Sequence, residues 1–373
     1  MKDTILFGDC KETLSEFLPQ SARTCVTSPP YYGLRDYGTA TWVGGDPNCN
    51  HRRDSKVKAE NCNTGHKNHD EMAGVGDAIY KTVCPKCGAI RQDSQIGLEE
   101  TPEEYIESLV SVFRSVRDVL TDDGTLWVNL GDSYYNYRPG KGQSYPKQSV
   151  SKTKQDLPDE CNKRGNKLDG LKEKDLIGIP WLFAFAMRND GWYLRQDIIW
   201  HKPNPMPESV RDRCTKSHEY IFLFSKNKKY FYDNEAIKEP AKDWGTRDRT
   251  NGKYHNEGTG LQPHSGLTKS YPTKNKRSVW SVTVKPYKEA HFATYPPDLI
   301  EPCILAGSEE GDTVLDPFMG AGTTAAVAKS LNRHYIGCEL NEDYGNLIQK
   351  RIQDYQPVNK VAQEPCINIL DII

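Results

Sequence analysis

Residues 316–324 read DPFMGAGTT, and this stretch decides the fold class. The segment DTVLDPF (312–318) leading into it has the apolar character of a buried strand, and residues 323–331 have the spacing of a helix. Between them, Gly320 and Gly322 permit a tight turn and close approach of a ligand. Thr323 and Thr324 place hydroxyls at the helix start. The next strand, HYIGCEL (334–340), carries Glu339, seventeen residues after Gly322. In open α/β sheets ligands sit at the carboxyl ends of strands, and an acid there can bind both hydroxyls of a ribose. Turn and acid together point to a nucleoside-type ligand. The turn has no lysine, which argues against a P-loop, and its pattern is not GxGxxG, which disfavours a nicotinamide cofactor.

The same alternation extends outward along the chain. Strands are expected at 3–7, 23–28, 125–131, 192–201 and 219–226. Helices are expected at 10–18, 176–189, 297–306 and 342–355. A further helix opens at Thr101-Pro102-Glu103-Glu104, where Thr101 is an N-cap, Pro102 fits the first helical position and Glu104 completes a capping box. Strands alternating with helices imply an α/β fold, a mixed and mostly parallel sheet with helices on both faces. Residues 38–95, 136–172 and 238–278 lack hydrophobic periodicity and lie outside this pattern.

The 373 residues are ample for a large core, and no apolar run is long enough to span a bilayer. The N-terminus, MKDTILFGDC, lacks the apolar region of a secretion signal, so a cytoplasmic protein without a membrane partner is expected. A net charge of −2 does not by itself suggest nucleic acid. Residues 201–290, however, hold 18 Lys and Arg against 10 Asp and Glu, and such a basic stretch can face phosphates. Eleven cysteines, mostly isolated, fit reduced thiols.

Residues 27–32 read TSPPYY, a rigid aromatic corner directly after the strand at 23–28. Taken with DPFMGAGTT, it resembles the S-adenosylmethionine-dependent amino-methyltransferases of DNA. Their catalytic motif has the form (Ser/Asn/Asp)-Pro-Pro-(Tyr/Phe), matched by Ser28-Pro29-Pro30-Tyr31. Their cofactor motif is matched by Asp316, Pro317, Phe318, Gly320, Gly322, Thr323 and Thr324. The catalytic motif comes first, as in the beta group. The resemblance extends to Asp9 in Phe7-Gly8-Asp9, expected near the adenine of the cofactor. His291, Phe292, Ala293 and Tyr295 resemble the segment over the methionine end. GTLWVNLGDSY (124–134), RQDIIWHKPNPMPES (195–209) and SHEYIFLFSK (217–226) resemble the remaining core motifs around the target pocket.

The resemblance implies transfer of a methyl group to an exocyclic amine of a base flipped out of double-stranded DNA. Such a nitrogen is a poor nucleophile, so it must be aimed. Ser28 and the Pro29 carbonyl can accept hydrogen bonds from the amine hydrogens, Pro30 fixes the direction, and Tyr31 can stack on the base. Serine at the first motif position is the form associated with cytosine N4, with adenine N6 as the alternative. Methylation at carbon 5 is disfavoured, because it requires a nucleophilic cysteine and Cys25 precedes the motif on a strand. A catalytically idle DNA-binding relative, or an enzyme acting on RNA, would be the rival readings. The intact motifs speak against the first, and the beta-type order speaks against the second.

Cys49-Asn50-His51 and Cys84-Pro85-Lys86-Cys87-Gly88 flank the polar insertion. A C-x2-C knuckle followed by glycine is a common half of a structural zinc site, and Cys-x-His can be the other half. Zinc held by Cys49, His51, Cys84 and Cys87 would explain how a segment poor in apolar residues holds a fold. Cys62, His66 and His69 compete for one or two of the positions. The expected organisation is a methyltransferase core of residues 1–37, 96–204 and 279–373, a zinc-stapled insertion at 38–95, and a target-recognition region at 205–278. Both a monomer and a homodimer are compatible with the sequence. The setting implied is restriction–modification or protection of a host or phage genome.

Overall fold

The computed structural model describes residues 2–33, 39–52, 80, 82–135, 168, 170–241, 272–285 and 294–356. The strands are β1 (Thr4–Phe7), β2 (Ala22–Thr27), β3 (Thr41–Val43), β4 (Ile90–Gln92), β5 (Leu120–Leu130), β6 (Tyr193–His201), β7 (His218–Ser225), β8 (Glu239–Pro240), β9 (Thr273–Lys274), β10 (Val279–Ser281), β11 (Thr313–Asp316) and β12 (His334–Glu339). The helices are α1 (Cys10–Thr13), α2 (Pro102–Val119), α3 (Ile179–Asn189), α4 (Pro297–Gly307), α5 (Thr323–Ser330) and α6 (Gly345–Asp354).

Eight strands form one sheet in the order β1-β12-β11-β2-β5-β7-β6-β10. Five neighbouring pairs are parallel, and β7 runs antiparallel to both β5 and β6. The sheet is therefore mixed and mostly parallel, as the alternating pattern implied. Successive side chains along a strand point to opposite faces, and each face has its own cluster. Leu126, Val128, Phe222, Phe224, Leu315 and Ile336 pack on one side with α2 and α3. Trp127, Ile221, Leu223, Val314 and Tyr335 pack on the other with α4, α5 and α6.

α2 begins as its sequence demands. The Glu104 N–H donates to Thr101 Oγ1 at 3.2 Å and the Thr101 N–H to Glu104 Oε2 at 3.2 Å, closing the capping box. Its buried face includes Tyr105, Leu109, Val112, Phe113 and Val116, each side chain stabilising by roughly 1.5–3 kcal/mol on leaving water. Several boundaries differ from expectation: the helix expected at 10–18 ends at Thr13 and passes into a 3-10 turn at Leu14–Glu16, and the helix expected at 176–189 begins at Ile179. β5 starts at Leu120, directly after α2, and residues 121–124 bulge between Ala22↔Leu120 and Thr24↔Thr125. Arg23 holds this bulge through the Asp123 carboxylate.

Two small ribbons stand outside the main sheet. β3 pairs with β4 inside the insertion at 38–95, and β8 pairs with β9 inside the basic region. The expected recognition region at 205–278 is crossed by the core, because β7 is an internal strand of the main sheet. Among the described residues, no helix is long and apolar enough to cross a membrane.

Candidate active site

The parallel strands aim their carboxyl ends at one edge of the sheet. Phe7, Thr27, Leu130, Asp316 and Glu339 all end there. The antiparallel turn of β7 brings its first residues to the same edge, since Tyr220 pairs with Leu130 and His218 with His201. A cavity of about 380 Å3 opens at this edge, within the range of small-molecule sites. One side is lined by Ser28, Pro29, Pro30 and Tyr31. The other is lined by Asp9, Pro317, Phe318, Gly320, Thr323 and Glu339. Two motifs nearly three hundred residues apart in sequence thus face one space.

The SPPY turn is held from behind. Tyr105 Oη donates to the Pro30 carbonyl at 2.8 Å. Among the described residues no donor is directed at the Pro29 carbonyl, which leaves it available at the cavity wall. The Tyr31 hydroxyl donates toward Glu219 Oε2 at 2.8 Å and lies 3.1 Å from Asn129 Oδ1. Its ring lies so close to Gly131 that a Cβ there would sit 2.5 Å from the ring edge, so only glycine fits. Burial, and then the Glu219 charge, push the Tyr31 phenol well above its usual range, so Tyr31 acts as a neutral donor.

Sequence reasoning missed the group that anchors Tyr31. Asn129 Nδ2 donates to Glu219 Oε2 at 3.3 Å and to the Tyr220 carbonyl at 3.1 Å. Lys202 pairs with Glu219 Oε1, its ammonium lying 4.3 Å from the Trp200 ring centre. Asn129, Trp200, Lys202 and Glu219 all line the cavity. The signal was present: Asn129 interrupts the apolar run at 126–130 of β5, and Glu219 stands just ahead of the apolar run at 221–224 of β7.

On the opposite wall, Glu339 is only 9% exposed. Its carboxylate accepts the Gly320 N–H at 2.7 Å and the Asn341 N–H at 2.9 Å. The glycine turn therefore clamps the acid as well as shaping the wall, with Gly320 and Gly322 at φ 54° and 80°. Burial pushes the Glu339 carboxyl up to about 7, with the two backbone donors opposing. Asp9 caps α1 by accepting the Lys11 N–H at 2.9 Å and stands at the cavity edge.

Asp316, Gly322 and Thr324 do not line the cavity. Asp316 is wholly buried beneath it. Its carboxylate accepts Thr27 Oγ1 at 2.6 Å, Thr324 Oγ1 at 2.5 Å, the Phe318 N–H at 3.0 Å and Tyr295 Oη at 3.1 Å. Burial raises its carboxyl, opposed by the hydroxyls of Thr27 and Thr324. Asp316 thus ties the end of β2, which starts the SPPY turn, to the end of β11, which starts the glycine turn. Tyr295 lines the cavity and also bonds Thr324. His291, Phe292 and Ala293 lie outside the described residues.

Cys49, His51, Cys84 and Cys87 come together as their spacing implied, their ligand atoms all within 4.8 Å of one another. Cys62, His66 and His69 lie outside the described residues.

Comparison with known proteins agrees with this geometry. The family described as DNA methylase matches residues 22–350. Type II methyltransferase M.SmaI of Serratia marcescens is 40% identical over 353 residues, covering 93% of this chain and 90% of the relative. Type II methyltransferase M.XycI of Xanthomonas campestris pv. cyanopsidis is 39% identical over 350 residues, covering 94% and 87%. Among solved structures, the PvuII DNA methyltransferase (cytosine-N4-specific) matches with a TM-score of 0.54 at 15% identity, over 95% of this chain and 88% of that one, which shows a shared fold.

Proposed function

The chain belongs to the DNA methylase family, and we propose that it transfers a methyl group from S-adenosylmethionine to the exocyclic N4 amine of cytosine in double-stranded DNA. One observation carries the reading: Ser28-Pro29-Pro30-Tyr31 and the clamped Glu339 face each other across a single cavity. The type II methyltransferase role of the relatives at 39% and 40% identity is proposed for this chain too, within a restriction–modification setting.

The residues present fit the methyl donor. Glu339 offers two oxygens, each with one backbone donor and one lone pair to spare for ribose hydroxyls. Phe318, Leu340 and Leu347 give an apolar surface beside it for a purine ring, and Asp9 stands nearby as an acceptor for an exocyclic amine. When bound, S-adenosylmethionine supplies a methyl group on a positively charged sulfur. The chain's own part is to aim the amine. The Pro29 carbonyl and the Ser28 hydroxyl accept its two hydrogens, which favours a pyramidal nitrogen whose lone pair points along the transfer line. Once the methyl group has arrived the nitrogen is positively charged and strongly acidic, and one of those hydrogens passes as a proton to water.

Tyr31 is a fixed wall for the flipped base, because Glu219 and Asn129 hold its hydroxyl and Gly131 backs its ring. Flipping costs a few kcal/mol, offset in part by stacking and by hydrogen bonds in the pocket. Serine as the first residue of the motif favours cytosine. The stretches on either side of β7, within 205–278, are the proposed target-recognition segments, their basic excess suited to phosphates. Methylome sequencing of cells expressing the protein tests the assignment. N4-methylcytosine at one recognition sequence is expected, whereas N6-methyladenine there would overturn the choice of base.

A further inference from the structure

The β3–β4 ribbon has little apolar packing to hold it. Each strand has three residues, and Val43 and Ile90 are 50% and 56% exposed. A lone two-stranded ribbon is marginal in water. Yet two loops meet at its end and bring four soft ligands together, within 4.8 Å of one another. We propose that Cys49, His51, Cys84 and Cys87 bind a structural Zn2+, and that this ion fixes residues 93–97 as a wall of the base pocket. The second half of the proposal rests on the methyltransferase reading above.

Two opposite edges of the cluster have the lengths of a tetrahedral site. Zn–S bonds of about 2.3 Å and a Zn–N bond of about 2.0–2.1 Å require S···S edges of about 3.8 Å and an S···N edge of about 3.6 Å. Cys49 Sγ and Cys84 Sγ are 3.8 Å apart, and Cys87 Sγ and His51 Nδ1 are 3.5 Å apart. A disulfide needs about 2.05 Å, so these thiols are unbridged. The backbone around them is shaped to match. Gly88 N–H donates to the Cys84 carbonyl at 2.7 Å, forming the knuckle. Gly45 lets the two halves meet, since a Cβ there would lie 2.8 Å from Cys87 Sγ. Trp42 stacks on the His51 ring with centroids 4.2 Å apart, fixing its plane. Three thiolates and one imidazole leave no open position, so the ion is structural, and binding it releases three thiol protons.

The ribbon runs from the knuckle straight into the active site. Just after β4, the Asp93 carboxylate accepts Thr39 Oγ1 at 3.2 Å and the Gln95 N–H at 3.1 Å. Ser94, Gln95 and Ile96 line the cavity. The Gly97 carbonyl accepts the Gly33 N–H at 2.8 Å, and a Cβ on Gly97 would lie 3.0 Å from the Tyr31 carbonyl. Gly97 therefore packs against the end of the SPPY turn, and the residues just before it line the same cavity. Loss of the ion should loosen the base side of the cavity and spare the Glu339 side.

Metal analysis, cofactor binding and DNA methylation, measured on the same samples, test this. Purified full-length protein should hold about one zinc per chain. Cys49→Ser, Cys84→Ser and Cys87→Ser should each lose it, Cys214→Ser should keep it, and His51→Cys should rebuild a four-cysteine site that keeps it. Zinc-stripped protein should bind S-adenosylhomocysteine within about threefold of the holo form but methylate DNA ~100-fold more slowly, with zinc restoring the rate. Purified protein without metal and with full activity would overturn the site. Metal lost from Cys62→Ser, His66→Ala or His69→Ala but retained in Cys49→Ser would overturn the ligand set. Zinc removal that leaves methylation unchanged would refute the pocket-wall role. A zinc-loaded protein that methylates no DNA would instead sink the methyltransferase reading and leave the zinc site standing.

Discussion

Replacing Glu339 with glutamine should uncouple cofactor binding from pH. In the free protein burial raises this carboxyl from its ordinary 4.5 to about 7. The folded state therefore binds the proton more tightly than the unfolded chain. Stability from this group is fully present below 4.5 and is lost as pH rises through about 7, by about 3 kcal/mol in all. Ribose hydroxyls donate hydrogen bonds, so the cofactor selects the ionised form, and binding must tighten over the same window. With a carboxyl titrating near 7, apparent affinity for S-adenosylhomocysteine should fall about 30-fold between pH 8 and pH 5.5. Calorimetric titration across that range reads it directly. Glu339→Gln should bind at least ~10-fold more weakly at pH 8, because an amide cannot accept from Gly320, Asn341 and two hydroxyls together, and its affinity should be flat with pH. Denaturation of the ligand-free proteins should show the wild type losing about 3 kcal/mol relative to the variant over pH 4.5 to 8. A wild-type affinity independent of pH, or a Gln variant with the same slope, would refute Glu339 as the ribose acid.

Other perturbations separate the two walls of the cavity. Ser28→Ala should lower turnover ~100-fold while leaving S-adenosylhomocysteine affinity within about threefold, as isothermal titration and single-turnover assays can measure together. Glu219→Gln leaves the Lys202 ammonium without its carboxylate and weakens the Tyr31 anchor, so the rate on DNA should drop ~10-fold or more with cofactor affinity unchanged. Asp316→Asn replaces acceptors for four donors with a group that accepts through one oxygen only, and should cost ~2–4 kcal/mol in a urea melt.

Local signals carried most of the fold. The capping box at Thr101, the glycine turn after Asp316 and the continuous apolar runs in β5 and β7 each follow from nearest-neighbour chemistry, and all reappear in the structure. What sequence could not supply was juxtaposition. Asp316 reads as a ligand-facing acid, yet its partner Thr27 lies 289 positions away and the pair is buried. Asn129, Glu219 and Lys202 meet only because β7 is inserted antiparallel between β5 and β6, an order no local pattern encodes. The position of Glu339 at the cavity was legible because the acid sits at a strand end, and the clustering of Cys49, His51, Cys84 and Cys87 because the spacing within each half is short. The packing of Gly97 against the Tyr31 backbone was not, since it depends on where the ribbon returns to the core.

The most direct test of the account is to incubate the purified protein with duplex DNA and methyl-labelled S-adenosylmethionine and to analyse the digested nucleosides. The account predicts label in N4-methylcytosine alone, lost in Ser28→Ala. Label in N6-methyladenine would contradict the assignment of the base, and DNA without label would contradict methyl transfer itself.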